Sequence, residues 1–309
     1  MKKWITALLV ILVIFFALLY IFIPGRIQIV EFIPVRCPEP AVVRVLNNTS
    51  AWKKWWPENG NRNNFEYSDY RYHLSKIMYN AYDVAQVSNA DTINSQMLLL
   101  RVNSDSLLLR WESTVNTGLN PFKRISQYRQ ASKQKKNMRI LLDNLDKYLQ
   151  KSENIYGFHI AITTLVDTAF ISKKITGKSY PSTDTIYELI KELKGYIAST
   201  GAKETNHPIM NVRRTDSGYL TMVAIPVDRV LEGNNTLIPK RMPIIKDNTL
   251  LIEVHGGVLS VQKAFFELGN YMQDHHYGAP ALPFESLITD RSKETDTTKW
   301  ITRIYAPIM

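Results

Sequence analysis

The nine residues WITRIYAPI, at positions 300–308, have a counterpart earlier in the same chain, YLTMVAIPV at positions 219–227. Both stretches begin with an aromatic residue, have threonine two places later, and end with proline followed by an aliphatic residue. The match extends upstream, because in each copy a proline stands 23 positions after the start of a helical apolar pattern, from 185 to 208 and from 260 to 283. A fixed offset across several elements indicates an internal duplication, and two copies predict a pseudo-symmetric domain rather than a solenoid.

The duplicated region, residues 155–309, predicts the order strand, helix, strand, strand, written twice. The first copy has a β-like run at 155–169, a loop at 173–182, a helix from Thr185 to the stop at Gly201, and two strands that turn at 215–218. The second copy has a strand at 249–255, a helix at 260–275, strands at 283–289 and 300–308, and extra residues at 291–298. Helices that cover one face of an antiparallel sheet make the predicted class α+β.

This region resembles the GyrI-like effector-binding domain, which occurs on multidrug-responsive regulators and as a free-standing protein. The resemblance is carried by VHGG at 254–257, GAP at 278–280, PFE at 283–285, KWIT at 299–302, PI at 307–308 and, in the first copy, AIPV at 224–227. The first copy lacks the usual His-Gly pairing in its loop. The resemblance implies a ligand cleft between the two copies, with Glu285 at its floor.

The residues around Glu285 support that implication independently. Glu285 lies in an apolar strand in step with Leu287, and Met210 occupies the corresponding place in the first copy. A carboxylate in such a position is costly unless it is paired or hydrogen-bonded. Trp300 and Tyr219 begin the neighbouring strands and are candidate aromatic walls for a cationic ligand. The alternatives are an exposed Glu285, and a pure core role for Trp300 and Tyr219.

The N-terminus predicts a membrane anchor, residues 1–25, with the membrane contacted by residues 4–23. The run from Ile5 to Ile23 has no charge, and about 20 such residues span a bilayer. A cleaved signal peptide is the alternative, but the run is long and lacks a small-residue cleavage site. Lys2 and Lys3 favour an N-terminus in the cytoplasm. We therefore expect a single-pass protein of the inner (cytoplasmic) membrane with its soluble domains on the extracytoplasmic side.

Residues 27–152 predict a first soluble domain: a strand, short helices, antiparallel strands and a long helix at 122–150. The stretch 29–34, the short helix at 40–46 and WKKWWP at 52–57 resemble the START-like superfamily (SRPBCC, polyketide cyclase-type). In that family a curved sheet wraps the long helix around an apolar cavity, which implies a small hydrophobic ligand. Trp52, Trp55 and Trp56 are more simply explained as core residues that lock the short helices to the sheet than as ligand contacts.

The formal net charge of +10 favours an anionic partner or a membrane surface. Much of it lies on the long helix, so residues 123–151 are a candidate for contact with anionic lipid, against the alternative of a solvated face. We expect no nucleic-acid partner, because no recognised nucleic-acid motif accompanies the charge.

The chemistry of the chain favours binding over catalysis. A single cysteine and scattered histidines provide no metal motif, and no nucleotide fingerprint is present, so we expect neither a metal nor a cofactor. The leading hypothesis is a membrane-anchored protein that binds or senses a small cationic or amphipathic molecule in the GyrI-like cleft, through Glu285, Trp300, Tyr219, Leu287 and Met210. The alternatives are a hydrolase of the GyrI-like type that uses Glu285 as acid or base, and a structural tether.

Overall fold

The computed structural model describes residues 2–57, 65–88 and 91–309. The chain divides into two compact units, Met1–Lys151 and Ser152–Met309. Each unit contains one antiparallel sheet, and the mixed α+β class predicted from the sequence is confirmed.

The first helix, α1, has the length and composition that a membrane anchor requires. It runs from Lys2 to Phe22, and it is the one helix in the described part of the chain that is long and apolar enough to cross a membrane. Most of its side chains are exposed. It ends before Pro24, which has no amide hydrogen to continue the helix.

The first unit wraps a six-stranded sheet, in the order β1-β6-β5-β4-β3-β2, around a long helix. Its strands are β1 Arg26–Val35, β2 Phe65–Tyr67, β3 Tyr70–Ile77, β4 Ala81–Val87, β5 Thr92–Arg101 and β6 Leu107–Asn116, and its further helices are α2 Glu39–Asn47, α3 Thr49–Trp55 and α4 Pro121–Leu149. The Asn120 side chain accepts hydrogen bonds from the amides of Phe122 and Lys123 and so caps α4. Leu141 and Leu145, on the apolar face of this helix, are fully buried.

Trp52, Trp55 and Trp56 are core residues. Trp52 stacks on Trp56 with ring centroids 6.0 Å apart, and its indole N–H donates to the Leu46 carbonyl at 2.9 Å. Trp56 donates to the Glu66 carbonyl at 2.7 Å, and Trp55 is 4% exposed. These rings join α2 and α3 to the sheet, as the core interpretation predicts.

The second unit is an eight-stranded sheet whose order, β11-β8-β10-β9-β13-β14-β12-β7, displays the duplication. Its elements are α5 Ser152–Tyr156, β7 Ala161–Thr163, β8 Ala169–Gly177, α6 Thr183–Ser199, β9 Ile209–Thr215, β10 Gly218–Pro226, β11 Leu237–Arg241, β12 Thr249–His255, α7 Val258–Asp274, β13 Phe284–Leu287, a 3₁₀ turn Thr297–Lys299 and β14 Ile301–Pro307. The copies β8-α6-β9-β10 and β12-α7-β13-β14 meet where β9 pairs with β13. The strand-helix-strand-strand order is therefore present twice, in mirrored sheet positions.

The start of the first copy differs from the prediction. The β-like run at 155–169 contains the end of α5 and the short β7, and half of the predicted loop at 173–182 belongs to β8, which pairs with both β10 and β11. The loop was predicted from the resemblance to the GyrI-like domain and not from a pattern in these residues. A lysine at position 173 is compatible with the middle of β8, because its ammonium group lies 2.5 Å from the Glu192 carboxylate on α6.

Candidate ligand site in the second unit

Glu285 lies in the middle of the sheet, where the two copies join. It is 4% exposed and is registered opposite Met210 of β9 on one side and Ile304 of β14 on the other. Cross-strand partners point to the same face of a sheet, and Met210 and Leu287 belong to the apolar cluster packed under α6. The carboxylate therefore faces the helical layer and not solvent.

The partner of this carboxylate is Arg291, from the extra segment of the second copy. Arg291 Nη2 lies 3.6 Å from Glu285 Oε2 and donates a hydrogen bond of 2.6 Å to Thr302 Oγ1. Its guanidinium carbon is 4.8 Å from the centre of the Trp300 ring. Both charged side chains are about 95% buried, and Arg291 Nε has no hydrogen-bond partner among the described residues. The site thus holds a buried cation against a carboxylate and an aromatic face.

Burial dominates the electrostatics of the site. It raises the pKa of Glu285 to about 7, although the nearby Arg291 acts in the opposite direction. The free energy lost when the carboxylate is removed from water exceeds the free energy gained from one guanidinium at 3.6 Å. Near neutral pH both protonation states of Glu285 are accessible, so the group can exchange a proton as well as hold a cation.

Two tyrosines form the adjoining wall. Tyr180, in the segment before α6, packs edge-to-face on Tyr219 with ring centroids 5.8 Å apart. Burial, with a smaller contribution from the Glu285 charge, raises the pKa of Tyr180 to about 12. Tyr180 therefore connects the predicted residue Tyr219 to the carboxylate, and its phenol stays protonated.

An open groove of about 730 Å³ lies beside this cluster. Its walls include Ile190 of α6 and Leu287 of β13, together with Tyr187, Asp290 and Lys293. The hydroxyl group of Tyr187 accepts a hydrogen bond from the Arg291 amide at 2.6 Å. Tyr187 thus fixes the backbone of the segment that separates the groove from Glu285.

The predicted site residues are distributed over these features. Glu285 and Trp300 contact the same guanidinium, Tyr219 joins them through Tyr180, and Leu287 lines the groove. Met210 is instead 2% exposed in the apolar core. Trp300 is held by its indole N–H, which donates to the Glu294 carbonyl at 2.8 Å.

Sequence reasoning missed Arg291, Tyr180 and Tyr187. The only available signal for Arg291 was its place in the extra residues 291–298 of the second copy. In the described part of the chain, no group of three or more His, Cys, Asp or Glu side chains is placed to hold a metal ion.

No family model matches the sequence, and no curated protein matches it by sequence. Structural neighbours include the C-terminal domain of EcmrR, 16% identical over 49% of this chain and 98% of that one, with a TM-score of 0.42. A START superfamily protein from Mycobacterium smegmatis is 11% identical over 40% of this chain and 97% of that one, with a TM-score of 0.30. SAV2435, bound to tetraphenylphosphonium, is 15% identical over 49% of this chain and 94% of that one, with a TM-score of 0.30. Such distant likenesses say nothing of the ligand or activity of this chain.

Proposed function

We propose that this protein is a membrane-anchored binding protein whose second unit, the GyrI-like domain, takes up a small cationic, amphipathic molecule. The observation that supports this function best is the position of Arg291, whose guanidinium lies between the Glu285 carboxylate and the Trp300 ring. Carboxylate pairing and contact with an aromatic face are the two interactions that recognise organic cations in water-excluded sites. Arg291 therefore holds the place of the ligand's positive group.

Uptake of a ligand is an exchange of cations. The ligand's charge replaces the guanidinium at Glu285, and its apolar part lies in the adjacent groove along Leu287 and Ile190. The carboxylate stays paired throughout, so the exchange avoids leaving a buried charge alone, which is the expensive state. Arg291 can reach solvent because Ser292 and Lys293, which follow it, are exposed.

The test is a binding titration of the full chain in detergent micelles. The probes are tetraphenylphosphonium, a hydrophobic cation, and triphenylphosphine oxide, a neutral compound of similar shape. We expect binding of the cation only, lost in Glu285→Gln and kept in Glu253→Gln, whose carboxylate is exposed and paired with Arg303. Equal binding of both probes, or equal loss in both variants, would refute a cation site at Glu285.

A hydrolase is the second candidate, because a carboxyl with a pKa of about 7 suits general acid–base catalysis at neutral pH. Hydrolysis of an ester such as p-nitrophenyl acetate, lost in Glu285→Gln while cation binding persists in that variant, would favour this function. If the folded protein neither binds nor hydrolyses these probes, only the structural tether remains of the predicted functions.

We also propose that the start of α4 rests on the bilayer surface. The Tyr20 hydroxyl donates to the Leu119 carbonyl, and the Arg124 guanidinium lies 4.4 Å from the centre of the Tyr20 ring. Because Tyr20 is near the end of the apolar helix, these contacts support a position at the membrane interface for the exposed Leu119 and Phe122.

The charges of α4 divide into two groups. Lys133 pairs with Asp69, and Lys135 and Arg139 lie near Glu31, so three cations in the middle of the predicted basic face have carboxylate partners within the unit. Lys123 and Arg129 lie nearer the Tyr20 contact and are exposed. The proposed contact with anionic lipid therefore belongs to the first turns of α4 rather than to the whole segment 123–151.

A further inference from the structure

In the sheet of the first unit, the neighbouring strands β5 and β6 separate from each other at one end. Pairing between β5 and β6 ends at Ser95 opposite Ser113. The outer edge of β5 stays paired with β4 as far as Thr92, and the outer edge of β6 stays paired with β1 as far as Asn116. The first three residues of β5 and the last three of β6 are therefore held extended by their outer neighbours but are not paired with each other.

A cavity of about 890 Å³ occupies this gap. Its lining includes every residue of the two separated strand ends and, from α4, Gln127 and Gln130. Successive residues of a strand point to opposite faces, so a cavity lined by consecutive residues of β5 and β6 reaches both faces of the sheet. It is an opening through the sheet, and not the closed apolar space that the START-like resemblance implies.

Two polar groups of the cavity have no partner among the described residues. Ser113 is 5% exposed and its Oγ makes no hydrogen bond, and Gln127 Oε1 is buried without one. The neighbouring Ser95 contrasts with them, because its hydroxyl accepts from Gln86 and Trp111 and donates to Val84. A buried polar group without a partner costs free energy, so Ser113 and Gln127 favour a ligand that can hydrogen-bond.

We propose that this gap binds a short peptide of about three residues in extended conformation. Separated strand edges present backbone N–H and C=O groups, to which an extended chain adds by main-chain hydrogen bonds. Three residues along each edge span about 10 Å at the rise of a β-strand, which limits the peptide's length.

The charges of the cavity favour a free amino terminus on the peptide. The charged residues in its lining are Arg26, Asp83, Asp91 and Glu112. Glu112 is bridged to Arg110 at 2.6 Å, which leaves two carboxylates against one guanidinium. The resulting negative balance attracts an ammonium group. This site is independent of the Glu285 site in the second unit.

Calorimetric titration of the full chain in detergent micelles tests the proposal, with tri-alanine, N-acetyl-tri-alanine amide, maltotriose and decanoate as probes. We expect tri-alanine to bind one to one, about three- to tenfold more weakly in Ser113→Ala and in Gln127→Leu, the loss of one hydrogen bond. Gln150→Leu, at the end of the same helix and outside the cavity, should bind like the wild type. Asp91→Asn should reduce the preference for the free amine and leave the acetylated peptide unaffected.

Ser113→Ala removes a hydroxyl without a hydrogen-bond partner, so the variant should unfold at the same temperature as the wild type. Weaker binding by this variant can then not be attributed to misfolding. Preference for maltotriose over both peptides would overturn the proposal in favour of a polyol site. Binding of decanoate that is insensitive to Ser113→Ala would overturn it in favour of an apolar cavity. Absence of tri-alanine binding to the folded wild type would also overturn it.

Discussion

Raising the pH from 5 to 8 should destabilise the second unit through one side chain, Glu285. Its pKa is raised from 4.5 to about 7 in the folded protein, chiefly by burial. Between these values the folded state binds the proton more strongly than the unfolded state does, so the free energy of unfolding falls as pH rises. The stability that protonated Glu285 confers is fully present below about pH 4.5 and is lost by the time the pH has passed about 7. Integrated from pH 5 to pH 8, the loss is on the order of 2–3 kcal/mol.

The reporter for this measurement is Trp300, the single tryptophan of residues 152–309. Full-length protein labelled with 5-fluorotryptophan gives a fluorine resonance for position 300, assigned with Trp300→Phe, that follows unfolding of the second unit alone. For a unit of this size the midpoint temperature should fall by about 5–10 °C over the pH interval. At low temperature the same resonance should titrate near pH 7, because Arg291 stacks on the ring and its partner changes charge.

Glu285→Gln should remove this pH dependence, since the amide cannot ionise. Glu253→Gln is the matched control, because its carboxylate is exposed and paired with Arg303 on the same sheet. The same slope of stability with pH in wild type and Glu285→Gln would refute the reasoning. So would a titration of the Trp300 resonance near the ordinary value of 4.5.

Three further changes test separate parts of the molecule. At pH 9, where Glu285 is ionised, Arg291→Ala should raise the affinity for tetraphenylphosphonium on the order of tenfold by removing the internal competitor. The same variant should lose stability at a higher pH than the wild type does, because the guanidinium lowers the pKa of Glu285; weaker cation binding at pH 9 would contradict the exchange. An environment-sensitive dye on Phe122→Cys should report an apolar setting in nanodiscs, whereas the same dye on Tyr79→Cys, a position 89% exposed, should report water; identical emission would contradict the interfacial position of α4. Trp52→Ala should cost the first unit about 3–5 kcal/mol in denaturant unfolding, and a loss below about 1 kcal/mol would contradict its core role.

The sheet of the second unit was predictable because its pattern is local and written twice. In both copies the first proline stands 23 positions after the start of the helical pattern, and the second proline stands 7 positions after the aromatic residue, so β9-β10 and β13-β14 were identified together. The start of the first copy was not predictable in this way. The loop at 173–182 was predicted from the family resemblance, whereas these residues largely continue β8, where the contact of Lys173 with Glu192 of α6 accounts for a lysine.

The partner of Glu285 could not be predicted, because the contact depends on tertiary geometry. Pattern reasoning identified a carboxylate in an apolar strand and inferred that it must be paired, but it did not identify the partner. Arg291 lies in a polar segment without periodicity, and its side chain becomes buried only because Tyr187 holds its backbone and Trp300 offers a ring face. The polar opening in the first sheet was likewise hidden, since β5 and β6 read as continuous strands.

The site has one carboxylate rather than two, and the near-symmetric pairing of the two copies explains why. Glu285 and Met210 each stand two positions after the proline of their copy, and they are registered opposite one another where the copies join. A carboxylate in both copies would place two buried acids side by side, and one of them would have to stay protonated. With methionine in one copy, the unit has a single carboxylate at its centre, and Arg291 from the longer copy satisfies it. This single carboxylate is the reason why we propose one cation site, although the duplication alone would suggest two.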